Sequence, residues 1–398
     1  MRARIVFPIL AAIVVAACGT STDTAEPKVQ SPGTLISKRS LGNLDPQLSS
    51  AVSSATYIRY QSTSPAGKPI EVSGAVFLPN GDAPAGGWPL IAFAHATTGV
   101  ANACAPTSLP AMLDSGPAVA QILAGHRAVV MTNYQGLDGP GNAPYIDSLS
   151  SGYDVLNAVR AARATGQPLA QDTVIVGGSQ GGRAAESAAE TTKSYAPELN
   201  IRGVVLLSPA LELRFTDGIR AGTLNAPDQY LMLPYLMAAV RYHNPGYGDD
   251  RVLHGDLLAA APRLEKQCTN DTTPADVAVG TAATPDAARF ADDAAAQPFS
   301  DFESRNNLPK SATTLPTYIL RGDADVLANT AWSTEAIAKM CALGTPVHDL
   351  VVPGGHGVPV SDIVFPGGNG VPGNVSGQWL RWIDDLFAGT PITSTCPR

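Results

Sequence analysis

The sequence predicts an α/β fold: a mostly parallel central sheet flanked by helices, with a helical cap inserted in its second half. Three observations carry this reading. Residues 173–183, TVIVGGSQGGR, read as a buried strand running into a sharp glycine-lined turn and then a helix. Upstream, the pattern alternates strand, helix, strand, helix, strand, which yields parallel strands joined by helical crossovers. Downstream, the alternation stops after residues 203–207 and resumes only at 315–320. That interval of about a hundred residues is too long for an ordinary loop, and residues 209–310 are read as the cap.

With 398 residues, 44% hydrophobic and 15% charged, the chain can bury a large core. A net charge of -8 without Lys/Arg clusters argues against nucleic acid as a partner. Residues 1–17 open with Arg2 and Arg4 and continue as an apolar run too short to span a membrane, the composition of a secretory signal peptide. The next residues, Val15-Ala16-Ala17-Cys18, resemble a bacterial lipobox, in which the cysteine is lipidated and becomes the mature N-terminus. Ordinary cleavage after Ala17 is the alternative. Setting Cys18 aside leaves Cys104, Cys268, Cys341 and Cys396, an even number suited to two disulfides in an oxidising compartment. An exported protein is therefore expected, either extracellular or held at the cell envelope through lipid on Cys18. Residues 18–34 read as a flexible tether rich in Ser, Thr and Pro, and residues 35–398 as the folded domain.

Residues 55–61 and 70–78 alternate or run apolar around Pro65-Ala66-Gly67, which predicts an antiparallel hairpin at the sheet edge. The continuous apolar run at 89–95 predicts a more central strand. Helical spacing predicts a helix over 108–124, then a strand over 128–132 and a helix over 147–164. Asn133-Tyr134-Gln135-Gly136 reads as the turn out of that strand. An alanine-rich helix follows the turn at Ser179. Within the cap, residues 229–242 and 255–267 are helix-like and apolar, serving either as a packing subdomain or as a lid.

Gly177, Ser179 and Gly181 form Gly-x-Ser-x-Gly, the pattern in which a serine sits on a strained strand-to-helix turn and flanking glycines let backbone approach. Such a serine needs a base, an orienting carboxylate and two amides for an oxyanion. By position Gln180 supplies one amide, and the loop after residue 95 supplies the other through Thr98 or Thr97. The acid and the base follow the serine in chain order. Asp323 and Asp325 both sit at the end of the strand at 316–320, and Asp325 is the chosen acid. Of His243, His254, His348 and His356, only His356 lies in a glycine-flanked loop directly after a strand, at 346–352. His95 is read as capping its strand. No metal-ligand spacing and no Gly-x-Gly-x-x-Gly dinucleotide pattern is present, so no cofactor is expected.

These residues, together with residues 94–99 ahead of Cys104-Ala105-Pro106 and with Tyr195-Ala196-Pro197-Glu198-Leu199-Asn200, resemble the secretory lipase family of α/β-hydrolases from about Leu35 onward. The resemblance implies a nucleophile, acid and base on Ser179, Asp325 and His356, oxyanion amides on Thr98 and Gln180, and a cap with an acyl tunnel. The chain departs from bacterial relatives by having Ala96 and Asn133 where glycine and aspartate are common. Four cysteines allow three connectivities. Supported by the family's cap arrangement, the expected pairs are Cys104 with Cys268 at the base of the cap and Cys341 with Cys396 pinning the C-terminus. The expected function is hydrolysis of small-molecule or lipid esters. Rival readings are a polysaccharide-ester esterase, a peptidase of the same fold, or a non-catalytic envelope lipoprotein that binds apolar ligands.

Overall fold

The computed structural model describes residues 30–364, 371–372 and 374–397. The expected signal peptide at 1–17, Cys18 and most of the expected tether lie outside the described residues. Strands β1 (Leu35–Ser40), β2 (Val52–Thr63), β3 (Pro69–Pro79), β4 (Trp88–Ala94), β5 (Ala128–Thr132), β6 (Leu169–Gly178), β7 (Asn200–Leu207), β8 (Thr317–Gly322) and β9 (Val347–Val352) form one sheet. Its order is β1-β2-β3-β5-β4-β6-β7-β8-β9. The first three strands and the β3–β5 pair are antiparallel, and every pairing from β5 to β9 is parallel.

Two expectations about the front half need correction. The hairpin of β2 and β3 is not the sheet edge, because β1 pairs outside it. The sequence of β1, Leu-Ile-Ser-Lys-Arg-Ser, is mostly exposed and lacks the apolar alternation that marks a half-buried strand. The helix expected over 108–124 is confined to α2 (Gly116–Ala124). Met112, Leu113 and Asp114 have positive φ, a conformation that no right-handed helix admits.

The sheet is covered on both faces, which is why its central strands read as unbroken apolar runs. On β6, Ile175 points into one cluster with α3 (Ser148–Arg163), α4 (Gln180–Tyr195) and α10 (Thr330–Leu343). Its neighbours Val174 and Val176 point into the other, with α1 (Pro46–Ala51), α2 and α12 (Gln378–Ala388). Asp147 starts α3 by accepting the Ser150 N–H, an ordinary N-cap. A further helix, α11 (Gly357–Val364), follows the loop after β9.

Between β7 and β8 lie α5 (Phe215–Ala221), α6 (Pro227–His243), α7 (Gly255–Leu264), α8 (Pro274–Ala282) and α9 (Asp293–Asn306). They share an apolar core of their own, around Tyr230, Leu233, Met237, Phe299 and Phe302. Tyr145 and Ile146 of the body are built into that core. Polar ties reinforce the junction: the Ser148 N–H donates to Asn306 Oδ1 at 2.9 Å, and His243 Nε2 lies 3.1 Å from Asp147 Oδ2. Cys104 is bonded to Cys268 and Cys341 to Cys396, closing sequence separations of 164 and 55 residues. In the chain-entropy model these closures stabilise by about 5 and about 4 kcal/mol respectively, before any native strain.

The helix that follows Ser179 carries a buried acid. Glu186 on α4 is fully buried, neither carboxyl oxygen has a hydrogen-bond partner among the described residues, and burial raises it to about 8. Asp154 on α3 is likewise raised by burial, to about 7. A folded-state value above the unfolded one means that the native chain holds protons the unfolded chain releases, so stability is full below the ordinary carboxylate range and falls as pH rises through about 7 to 8. The melting temperature should therefore decline between pH 5 and pH 9. Glu186→Gln should flatten that decline and raise the melting temperature at pH 9. Calorimetry at several pH values checks this, and a steeper slope in the variant would contradict it.

Candidate active site

The turn after β6 is built for one side chain. Ser179 has φ 54° and ψ -117°, a strained conformation for a residue with a Cβ. It is held there because its N–H donates to the Leu207 carbonyl at 2.9 Å and its own carbonyl accepts from Arg183 and Ala210. The flanking glycines are required by contact. A Cβ on Gly181 would sit 1.9 Å from the Ala94 carbonyl oxygen, and one on Gly177 would sit 2.1 Å from the Gly181 carbonyl oxygen. Strand β4 and the start of α4 therefore approach backbone to backbone, and the serine hydroxyl stands clear of both.

Two loops from the far side of the sheet meet it. His356 Nε2 lies 2.9 Å from Ser179 Oγ, and His356 Nδ1 lies 2.7 Å from Asp325 Oδ2. In the tautomer with the proton on Nδ1, Nδ1–H donates to the carboxylate and Nε2 is free to accept the Ser179 O–H as a hydrogen bond. Asp325 is nearly fully buried, and its other oxygen accepts the N–H groups of Leu327 and Ala328, both at 2.9 Å. Asp323 acts on the loop instead, because its Oδ1 accepts the Gly354 N–H at 2.9 Å and so clamps the segment that carries His356. The other histidines are elsewhere. His243 pairs with Asp147, His254 bonds the Arg289 carbonyl and His348 bonds the Thr393 carbonyl. His95 is fully buried, its Nδ1 lies 2.7 Å from the Ala96 carbonyl, and burial lowers it to about 4, which keeps it neutral.

Ser179, Gln180 and His356 open into a cavity of about 240 Å³ whose walls are otherwise largely apolar, with Leu213, Phe215, Met232 and Leu236 from the cap and Leu327 from the acid loop. The loop after β4 contributes Ala96 and Thr97 to its wall, not Thr98. Thr98, expected to give an oxyanion amide, is not part of that wall. Its side chain is buried and donates to the Cys104 carbonyl, and its own carbonyl accepts the Thr269 N–H, so it faces the cap junction instead. None of the Thr97, Thr98 and Gln180 N–H groups has an acceptor among the described residues. Gln180 opens α4, where the first amides lack a helical partner. Among the described residues no group of His, Cys, Asp and Glu is clustered to hold a metal ion, and no helix is long and apolar enough to cross a membrane.

Sequence reasoning missed Tyr145 and Thr269, which also line the cavity. Tyr145 lies in an irregular segment and Thr269 opens a single 3-10 turn, neither with any periodicity, and only the disulfide that brings Cys268 to Cys104 hinted that residue 269 would be near.

The family model for secretory lipases matches residues 117–395. The chain belongs to the secretory lipase family. This secretory lipase family member is 28% identical over 384 residues to a probable inactive lipase of Mycobacterium tuberculosis (strain CDC 1551 / Oshkosh), across 91% of this chain and 80% of that protein. Its fold is similar to that of Candida antarctica lipase A, solved in its closed state, with TM-score 0.70 at 17% identity over 92% of this chain and 84% of that one. It also matches the rice cell wall degrading esterase LipA of Xanthomonas oryzae, with TM-score 0.67 at 21% identity over 91% of this chain and 97% of that one. The fold is thus the α/β-hydrolase fold with a helical insertion.

The contacts at the turn yield a test that needs no substrate. Gly181→Ala in this family member should force backbone apart at β4, at a cost of about 1–3 kcal/mol, and lower the melting temperature by several degrees. The comparable change at Gly246, whose added Cβ would meet nothing within 4 Å, should cost less despite its positive φ. Equal losses would refute the close-approach account.

Proposed function

We propose that the protein is a serine carboxylic ester hydrolase that cleaves esters of apolar acyl groups through an acyl-enzyme. The single observation that carries the proposal is the continuous chain Asp325–His356–Ser179 opening into an apolar cavity. In this reading Ser179 Oγ attacks the ester carbonyl while His356 Nε2 takes its proton, then returns it to the departing alkoxide. Water repeats the sequence on the acyl-enzyme. Asp325, tied to two amides as well as to His356, keeps the imidazole in the tautomer that accepts at Nε2. The N–H groups of Gln180 and Thr97 stabilise the oxyanion. An apolar cavity of about 150 Å³ accommodates benzene, so one of about 240 Å³ suits an acyl group of roughly eight to ten carbons.

The secretory character of the family and the two disulfides support export. Within that reading, residues 1–17 are removed and Cys18 carries lipid, which mass spectrometry of the mature N-terminus tests. A second reading, a non-catalytic binder of apolar ligands, is favoured by the relative described as a probable inactive lipase. The two are separated by one reagent. A fluorophosphonate should label Ser179 and abolish hydrolysis of medium-chain esters, whereas a binder would stay unlabelled.

Ser179→Ala should lower ester hydrolysis by about 10⁶-fold. Asp325→Asn should cost about 10⁴-fold through a misoriented imidazole, while Asp323→Asn, which keeps an oxygen for the Gly354 N–H, should cost far less. Steady-state kinetics on the three variants check both statements, and the reverse ranking of the two aspartates would reassign the acid.

A further inference from the structure

Thr97 is held from several directions by residues outside its own loop. The Tyr145 hydroxyl, from the segment between β5 and α3, lies 2.9 Å from Thr97 Oγ1. On the cap side, the Thr269 hydroxyl donates to the Thr97 carbonyl at 3.4 Å and the Thr269 N–H donates to the Thr98 carbonyl at 3.0 Å. Thr269 directly follows Cys268, which is bonded to Cys104. With its hydroxyl and carbonyl thus engaged, Thr97 keeps its N–H as the one polar group without an acceptor among the described residues.

Tyr145 is itself fixed. It is almost wholly buried, and its ring meets that of Tyr235 on α6 edge-on, with centroids 5.8 Å apart. The Tyr235 hydroxyl donates to the Gln267 carbonyl at 3.3 Å, one residue before Cys268. Burial pushes the Tyr145 phenol above its ordinary value, so it stays protonated and available as a donor across the working pH range.

We propose that Tyr145 is a positioning residue for oxyanion stabilisation: its hydroxyl locks the Thr97 side chain and so keeps the Thr97 N–H aimed at the carbonyl oxygen of an ester bound at Ser179. This rests on the ester-hydrolase reading above. Tyr145 touches no reacting atom in the role described. Its effect passes through Thr97, and the cap supports it through Tyr235 and Thr269. A tyrosine serving only to fill the cavity wall would need its ring and not its hydroxyl, and that difference is open to measurement.

Tyr145→Phe keeps the ring and removes the oxygen. Its kcat should fall about 10-fold with KM unchanged, less than the 10²–10³-fold loss from deleting an oxyanion donor outright. Affinity for an alkyl boronic acid, which forms a tetrahedral adduct on the serine, should fall by the same factor, because only the tetrahedral state uses the oxyanion site. Thr97→Val should reproduce both losses and Thr97→Ser should restore wild-type values, so the test stands even if Tyr145→Phe does not fold. Wild-type kcat in folded Tyr145→Phe and Thr97→Val, or a change confined to KM, would overturn the role. Fluorophosphonate labelling of the wild type at Ser179 is run alongside. Labelled, active protein with indifferent variants defeats this role alone, whereas wild-type protein that neither labels nor hydrolyses defeats the hydrolase reading and this role with it.

Discussion

The site depends on one steric constraint: the start of α4 passes so close to the end of β4 that Gly181 has no room for a side chain against the Ala94 carbonyl. That approach lets the chain reverse from strand to helix within a single residue and forces the positive φ onto Ser179. The strain is distributed over bonds from neighbouring strands, with the Leu207 carbonyl taking the Ser179 N–H. It also brings the loop after β4, with Thr97, beside the first free amide of α4. The nucleophile and both amides in the proposed chemistry therefore follow from one contact between two backbones, and the histidine and aspartate loops need only reach the same point from β8 and β9.

The second organising relation is between cap and body. The insertion has a core of its own, yet that core takes in Tyr145 and Ile146 from the body and lends Met232 and Leu236 to the cavity wall. The junction is fastened on one side by the bond from Cys104 to Cys268 and on another by the Ser148–Asn306 and Asp147–His243 pairs. Near Thr97 the cap is thus part of the wall, fixed by a covalent bond within a few residues of the cavity. Any freedom to admit a bulky ester belongs to helices farther from that bond.

Much of this was legible in the chain. The Val174–Val176 run and its glycines specify a strand, a turn and an exposed serine because few other local structures tolerate that composition. Asp325 and His356 were legible because parallel sheets build their sites at the ends of strands, where both residues lie. What escaped reading had no local signal. β1 is an exposed polar strand whose pairing is set by β2, and the start of the helix expected at 108 is lost to three consecutive positive-φ residues. Thr97 rather than Thr98 lines the cavity, with its hydroxyl on Tyr145 and its carbonyl on Thr269, contacts that sequence spacing does not reveal.

The cysteine bonds have a consequence for how the protein is made. Cys104 joins Cys268 and Cys341 joins Cys396, so among the four the pairing is strictly between consecutive cysteines. A chain threaded N-terminus first into an oxidising compartment exposes its thiols in that same order. An oxidase that joins each newly emerged thiol to the unpaired one before it would produce the native set directly, with no need to reshuffle. A free thiol at position 18 would emerge earlier still and compete for Cys104, and lipid on that sulfur, as proposed above, would remove the competitor.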